Sequence, residues 1–166
     1  MYKRQIIVVD DGSEDQTPNL IKDKVDSVIT IKENKGKGFA LRNGFNEFLK
    51  SNTSDYLICI DADLQHPVSY ISKFVEYAEK RKSKFIIGKR DRKFGIMPFS
   101  RILSNSTTSL ILSIISNQKI EDSQCGFRLI HREALCKLSL QENGFQLESE
   151  MTVSYTHLRA HETKAN

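Results

Sequence analysis

Two aspartates, Asp61 and Asp63, flank one small residue directly after the apolar segment Asp55–Ile60, which is typical of a buried strand. A short loop at a strand end can aim both carboxylates at one hard cation, because Mg²⁺ and similar ions prefer oxygen ligands and leave sites for phosphate. Gln65 offers a third, neutral oxygen. The alternative is a solvated turn whose aspartates cap the next helix. The spacing alone favours neither interpretation, but the buried strand before the pair and the basic loops nearby favour a metal ion that holds a diphosphate.

A second acidic pair, Asp10 and Asp11, follows another apolar segment, and a glycine-lysine loop lies at residues 34–38. The aspartates can hydrogen-bond a base or a ribose, or they can form a turn with their own backbone. Lys37 and the loop amides can approach a phosphate at the start of a helix, where the helix dipole favours anions. The loop lacks the Walker and dinucleotide-binding orders of glycines, so a structural turn is an equal alternative.

The segment 122–128 mixes an acid, an amide, a thiol and a cation, namely Asp122, Gln124, Cys125 and Arg128. Arg128 is interpreted as either a phosphate clamp or a surface charge. A nucleophilic role for Cys125 is disfavoured because the sequence offers it no convincing histidine partner, although spacing alone leaves His131 open. Taken alone, this segment does not indicate a particular chemistry.

These residues need strands and helices to position them, and the periodicity of apolar residues predicts an alternation of the two. Such an alternation favours a single α/β domain with a mostly parallel sheet, in which ligands bind at the carboxyl ends of the strands. The predicted strands are Gln5–Asp10, Ser27–Lys32, Asp55–Ile60, Lys84–Gly88 and Gly126–Ile130. The predicted helices are Pro18–Lys24, Phe39–Lys50, Pro67–Lys82, Pro98–Asn117, Arg132–Ser139 and Gln146–Val153.

The composition excludes several classes of protein. With 39% hydrophobic and 28% charged residues, the 166-residue chain is neither collagen-like nor wholly disordered. A net charge of +4 is mild, so we expect no nucleic-acid partner and instead an anionic small ligand or an acidic membrane surface. The three cysteines suggest buried thiols in a reducing compartment. No apolar run reaches the ~20 residues of a membrane span, which predicts a protein of the cytoplasm or of the cytosolic face of a membrane.

The order of the motifs resembles that of a family-2 glycosyltransferase. In this sequence they are I-I-V-V-D-D-G-S, N-K-G-K-G-F-A-L-R-N-G, D-Y-L-I-C-I-D-A-D-L-Q-H-P, G-K-R and D-S-Q-C-G-F-R-L-I, spread between Gln5 and Val153. The branch that they resemble most is the polyprenyl-phosphate sugar synthases, which include the dolichyl-phosphate mannose and glucose synthases. This resemblance implies a GT-A-type three-layer α/β sandwich and an inverting transfer of sugar from a UDP- or GDP-linked donor to a polyprenyl phosphate, with Mg²⁺ or Mn²⁺ as cofactor.

The resemblance also implies roles for individual residues. Asp61 and Asp63 match the metal-binding D-x-D motif, with Gln65 as an extra ligand, and Asp61 also faces the donor. Besides Asp61, the residues implied to bind the nucleotide sugar are Asp10, Asp11, Lys37 and Arg101. The implied catalytic residues, on the acceptor side or near the phosphates, are Asp122, Gln124 and Arg90.

The nature of the acceptor leaves alternatives open. A polyprenyl phosphate is already anionic and needs basic positioning more than a general base. If the acceptor is instead a hydroxyl of a cell-surface polysaccharide or oligosaccharide, Asp122 becomes the leading candidate base. The predicted helix Pro98–Asn117 carries many apolar side chains, which fit either an interfacial contact with a membrane or ordinary core packing.

Both ends of the sequence depart from the family pattern. Members of the family normally begin with an earlier strand and helix, whereas this chain starts at the next strand. Residues 154–166 do not match either, and we expect them to be an appended or disordered tail. Residues 1–153 are therefore predicted to be a partial catalytic domain that lacks its first strand. The third hypothesis for function is a catalytically inactive fragment.

Overall fold

A computed structural model describes residues 5–51, 54–89, 107–114 and 120–164, with side chains up to residue 158. Its strands are β1 (Ile7–Asp11), β2 (Ser27–Ile31), β3 (Tyr56–Cys59), β4 (Phe85–Ile87) and β5 (Arg128–His131). Its helices are α1 (Thr17–Ile21), α2 (Lys37–Lys50), α3 (Tyr70–Arg81), α4 (residues 107–114), α5 (Arg132–Lys137) and α6 (Gln146–Lys164). The chain forms two compact units, the first comprising Met1–Asn52 and Leu140–Leu147 and the second Thr53–Ser139 and Glu148–Asn166.

The first unit is built on the parallel pair β1 and β2, which are in register from Ile7 opposite Ser27 to Asp11 opposite Ile31. Strand β1 forms because β-branched residues suit a pleated, half-buried surface. Helix α2 covers this pair, with Phe45 and Phe48 buried on its inner face. A methyl group at Gly44 would lie 3.2 Å from the Val9 side chain, so α2 and β1 pack closely. This packing fixes the end of β1, where Asp10 and Asp11 lie.

The second unit has a three-stranded sheet in which β5 lies between β3 and β4 and runs antiparallel to both. Leu129 and Ile130, the two apolar residues of β5, are fully buried at the centre of this sheet. Helix α3 packs through Ala78 and through Phe74, whose ring lies 4.2 Å from that of Phe127 between centroids. The sheet therefore places the end of β3 beside the start of β5.

The mixed α/β class and the parallel pairing of β1 with β2 agree with the sequence prediction, but the direction of β5 does not. Hydrophobic periodicity identifies a buried strand without revealing its direction, because parallel and antiparallel strands have the same side-chain alternation. By its contacts the chain forms two compact units, and the single partial domain of residues 1–153 stays a prediction.

Helix α6 extends further than predicted, since its backbone is helical to Lys164 instead of ending at Val153. Tyr155 stacks on Phe85 with ring centroids 4.8 Å apart, so the helix packs on the second unit beyond residue 153. That residues 154–166 are foreign to the family stays a prediction. Of the predicted helix Pro98–Asn117, residues 107–114 are described and helical. No described helix is both long enough and apolar enough to cross a membrane.

Candidate active site

Asp10 is the penultimate residue of β1, and its carboxylate is buried with only 5% of the residue exposed. Its Oδ1 accepts a hydrogen bond from the Ser13 backbone at 3.2 Å, whereas no donor among the described residues reaches Oδ2. A buried polar atom without a partner is costly, and such atoms are often explained by a ligand. Asp10 therefore offers an acceptor for an N–H or O–H group.

Asp11, by contrast, uses both carboxylate oxygens within the protein. Oδ1 accepts from the Lys35 backbone N–H at 2.9 Å, and Oδ2 accepts from that of Gly36 at 2.8 Å. Two amides that the sequence analysis offered to a phosphate are therefore bonded to Asp11. Charge-assisted hydrogen bonds of this kind are about twice as strong as neutral ones, so Asp11 fixes the shape of the glycine-lysine loop.

Lys37 begins α2 directly after Gly36, whose φ of 94° favours glycine at this turn. The Lys37 Nζ lies 5.9 Å from the centre of the exposed Phe145 ring. This distance is within the range of a cation–π contact. Lys37 is thus held at the N-terminus of a helix, where its charge and the helix dipole both favour an anion.

A segment that the sequence analysis left without a role, residues 140–145, packs on the glycine-lysine loop. The Phe39 backbone N–H donates to the Asn143 carbonyl at 3.0 Å, and Arg42 Nη1 donates to the Gln141 carbonyl at 2.8 Å. A methyl group at Gly38 would lie 2.6 Å from the backbone carbon of Asn143, so only glycine fits there. The Asn143-Gly144 dipeptide, a common turn signal, is the sequence feature that marks this segment.

In the second unit, Asp61 and Asp63 follow β3 as predicted. Asp63 Oδ1 accepts from the Gln65 backbone N–H at 3.0 Å, and the intervening Leu64 has a φ of 62° and is 94% exposed. The side chains of Asp63 and Gln65 are exposed, whereas Asp61 is half-buried. The turn therefore leaves both carboxylates at the surface or close to it.

The donor set of this turn fits a divalent cation that shares its coordination with a ligand. Within the described parts of the chain, no group of three or more histidine, cysteine, aspartate or glutamate side chains comes together as a complete metal cage. Mg²⁺ is commonly held by one or two carboxylates together with the phosphates of a substrate, and by water. Asp61 and Asp63, with the amide oxygen of Gln65, match this partial set.

The loop before β5 is anchored by Arg128, which is 1% exposed. Its guanidinium donates to the carbonyls of Ser123 at 2.6 Å, Cys125 at 2.8 Å and Glu148 at 2.6 Å. Burial lowers the pKa of Arg128, and the negative charge of Glu148 is the largest of the influences that oppose this shift. Both interpretations of Arg128 in the sequence analysis, as a phosphate clamp or a surface charge, are therefore wrong.

The remaining predicted residues differ in exposure. Asp122 is 2% exposed and contributes to the negative potential at Arg128, whereas Gln124 is half-buried. Arg90 and Arg101 lie outside the described residues. In the second unit, the structure brings Asp61 close to Gly126 of the segment 122–128. The other predicted residues, Asp10, Asp11 and Lys37, belong to the first unit.

Cys125 has a histidine neighbour that spacing did not reveal. Its Sγ lies 3.8 Å from His66 Nε2, and the His66 ring stacks on Phe127 with centroids 5.3 Å apart. Cys125 is fully buried. A thiol without access to solvent or ligand is inert, so the expectation that Cys125 is not a nucleophile is retained.

Comparison with known proteins identifies the family of this chain. The model of glycosyl transferase family 2 matches residues 1–138. The chain belongs to this family. Among curated relatives of this family-2 chain, a UDP-N-acetylglucosamine–dolichyl-phosphate N-acetylglucosaminyltransferase of Methanococcus voltae is 30% identical over 156 residues, 82% of this chain and 62% of the relative. A dolichol-phosphate mannosyltransferase of Pyrococcus furiosus is 31% identical over 158 residues, 90% of this chain and 44% of the relative.

Solved structures show the same fold for this family-2 chain. Glucosyl-3-phosphoglycerate synthase of Mycobacterium tuberculosis with phosphoglyceric acid superposes with a TM-score of 0.66 at 19% identity, covering 89% of this chain and 52% of that one. The same enzyme with Mn²⁺, UDP and glucosyl-3-phosphoglycerate gives 0.65 at 18% identity, with the same coverage. The predicted GT-A fold is confirmed. The chain spans between about two fifths and three fifths of the length of these relatives.

Proposed function

We propose that this chain is the catalytic part of a glycosyltransferase that moves a sugar from a nucleotide-sugar donor to a polyprenyl phosphate. Membership of glycosyl transferase family 2 supports the transfer, and the names of the two archaeal relatives support a dolichyl-type acceptor. The chain covers 62% and 44% of those relatives, so the activity is a proposal for the whole protein.

The observation that carries the donor half of the proposal is the buried, unpartnered Oδ2 of Asp10. A base N–H or a ribose hydroxyl from the donor would satisfy this oxygen, which otherwise stays desolvated without a hydrogen bond. Asp11 contributes by holding the glycine-lysine loop, and Lys37 places a positive charge at the start of α2 for a phosphate. UDP in the mycobacterial enzyme supports a nucleoside diphosphate ligand.

For the metal, we assign Asp61, Asp63 and Gln65 as ligands of Mg²⁺ or Mn²⁺. The Mn²⁺ of the mycobacterial enzyme supports a divalent ion. When bound, such an ion neutralises the charge that develops on the departing nucleoside diphosphate. The contribution of the chain is to hold two carboxylates of the turn after β3 ready for coordination.

In the proposed reaction, a phosphate oxygen of the acceptor attacks the anomeric carbon of the sugar from the face opposite the diphosphate. The new carbon–oxygen bond forms as the bond to the diphosphate breaks, so the configuration inverts. The attacking oxygen is already ionised, and no proton has to be removed. The burial of Asp122 supports this choice, because a base for a sugar hydroxyl must reach its substrate. Gln124, Arg90 and Arg101 are proposed to orient the acceptor and the phosphates.

A lipid acceptor also implies a location at the cytosolic face of a membrane. Three apolar side chains of α4 are strongly exposed, Leu110 at 61%, Ile111 at 51% and Ile114 at 72%. Exposed apolar side chains on a helix are suited to the boundary between lipid headgroups and acyl chains. This supports contact of α4 with the membrane surface.

The experiment that tests the acceptor measures turnover of UDP- and GDP-linked sugars with and without a polyprenyl phosphate in detergent micelles. We expect sugar to appear in the lipid fraction only when the lipid phosphate is present. Asp55→Asn should transfer sugar as the wild type does, since Asp55 is exposed and lies at the opposite end of β3 from the metal ligands. Turnover that is independent of the lipid, or that requires an oligosaccharide, contradicts the polyprenyl-phosphate assignment and favours a glycan acceptor.

A further inference from the structure

Gly126, next to β5, lies against the carboxylate of Asp61. A Cβ atom at Gly126 would lie 2.7 Å from Asp61 Cγ and 2.8 Å from Oδ1, and still closer to Oδ2. Real side chains do not approach so closely, so the Asp61 carboxylate occupies space that exists only because residue 126 is a glycine. The two residues are far apart in sequence and belong to the same compact unit.

The backbone around Gly126 is held firmly in place. Arg128 donates to the carbonyls of Ser123 and Cys125 on the two sides of residue 124, and its third bond, to the Glu148 carbonyl, ties the loop to α6. Hydrogen bonds from a charged group are about twice as strong as those between neutral groups. A clash at residue 126 would therefore be relieved by movement of the Asp61 side chain and not by movement of the loop.

We propose that Gly126 is a positioning residue that sets the direction of the Asp61 carboxylate. The inference rests on the proposed function, in which Asp61 is a ligand of the divalent ion. In this proposal, the segment 122–128 supports the metal site and is also a candidate acceptor surface. A short loop with a glycine at one fixed position thus contributes to metal binding without providing a ligand.

If Gly126 has this role, its substitution should weaken metal binding without lowering the stability of the fold. The φ of Gly126 lies outside the left-handed region, so alanine is compatible with its backbone. The atoms that an alanine meets belong to the end of the Asp61 side chain, which can rotate away from residue 126. Gly126→Ala should leave the fold intact and turn one ligand of the metal away from its place.

The test measures binding of Mn²⁺ by the full chain in the presence of UDP, and in a second series GDP, from the electron paramagnetic resonance signal of free Mn²⁺. We expect Gly126→Ala to weaken Mn²⁺ binding about 10- to 100-fold, the usual effect of losing a residue that orients a metal ligand. Gly44→Ala is the matched control, since its methyl group meets only the Val9 side chain at 3.2 Å in the first unit. Binding of the nucleotide without metal and the midpoint of urea unfolding should both be unchanged in Gly126→Ala.

Each other outcome has a definite meaning. Equal Mn²⁺ affinities of Gly126→Ala and the wild type would overturn the inference and leave the proposed function standing. Loss of the folded state in Gly126→Ala also overturns it, because the Asp61 carboxylate then has no room to rotate away. If the wild type binds no Mn²⁺ with either nucleotide, the metal assignment of the proposed function is wrong, and the inference is refuted together with it.

Discussion

Replacing Arg128 by methionine tests whether the loop before β5 is anchored as described. Methionine has a similar length and is apolar, so it fills most of the space but donates no hydrogen bond. The variant leaves the carbonyls of Ser123, Cys125 and Glu148 without the donor that they share. It also leaves the acidic groups Glu148 and Asp122, which are 3% and 2% exposed, without the buried positive charge beside them.

The expected loss of stability follows from these contacts. Leaving a buried hydrogen-bond acceptor without its donor costs about 1–3 kcal/mol, and three carbonyls lose their donor here. The cost of burying the guanidinium is recovered in the variant, so the sum of the individual hydrogen bonds would be an overestimate. We therefore expect Arg128→Met to lower the free energy of unfolding by about 3–5 kcal/mol, a large part of the ~5–15 kcal/mol of a typical domain.

Urea unfolding followed by circular dichroism measures this loss. Arg132→Met is the matched control, since Arg132 is only half-buried and its Nε donates to the Ser54 carbonyl at 3.0 Å. A single hydrogen bond from a charged group is worth about 1.5–3 kcal/mol. If Arg128→Met is no more destabilising than Arg132→Met, the guanidinium does not anchor the loop, and the argument that Asp61 must yield to a methyl group at residue 126 fails with it.

Two further predictions concern the first unit and the effect of pH. Asp11→Ala removes the acceptor of the Lys35 amide, whereas the Gly36 amide keeps Asn34 Oδ1 as a second acceptor. Hydrogen exchange at Lys35 should therefore become faster, and unchanged protection there would contradict the role of Asp11. A hydrogen bond from Lys84 lowers the pKa of Glu133 below its ordinary value of 4.5. The stabilising contribution of Glu133 is therefore complete above pH 4.5 and is lost as the pH falls through the lowered pKa. Urea midpoints of Glu133→Gln and the wild type should differ at neutral pH and converge in acid, and a constant difference would contradict this assignment.

The sequence was sufficient for features that depend on local pattern. Apolar runs that end in aspartates predicted β1 and β3, and the positions of Asp10, Asp61 and Asp63 at or just after strand ends followed directly from that pattern. The helices that begin near glycine or proline were also predicted, with ends displaced by a few residues. Local spacing carries this information because strand and helix periods are properties of neighbouring residues.

Features that depend on distant partners were missed. Asp11 accepts hydrogen bonds from Lys35 and Gly36, which lie 24 and 25 positions further along the chain. Arg128 donates to the Glu148 carbonyl, 20 positions away. Arginine is almost never fully buried unless paired, so its type alone favoured a surface or ligand-binding role for Arg128. The close approach of Gly126 to Asp61 likewise requires the antiparallel pairing of β5 with β3, which the sequence pattern does not specify.

The central claim is a donor site that binds a nucleoside diphosphate together with a divalent ion. Calorimetric titration of the chain with UDP and with GDP, each with and without Mn²⁺, tests it most directly. We expect heat of binding for at least one nucleotide that increases with Mn²⁺, and loss of this increase in Asp63→Ala but not in the strand-end control Asp55→Asn. Absence of heat with both nucleotides in the presence of Mn²⁺ would contradict the claim and favour a catalytically inactive fragment.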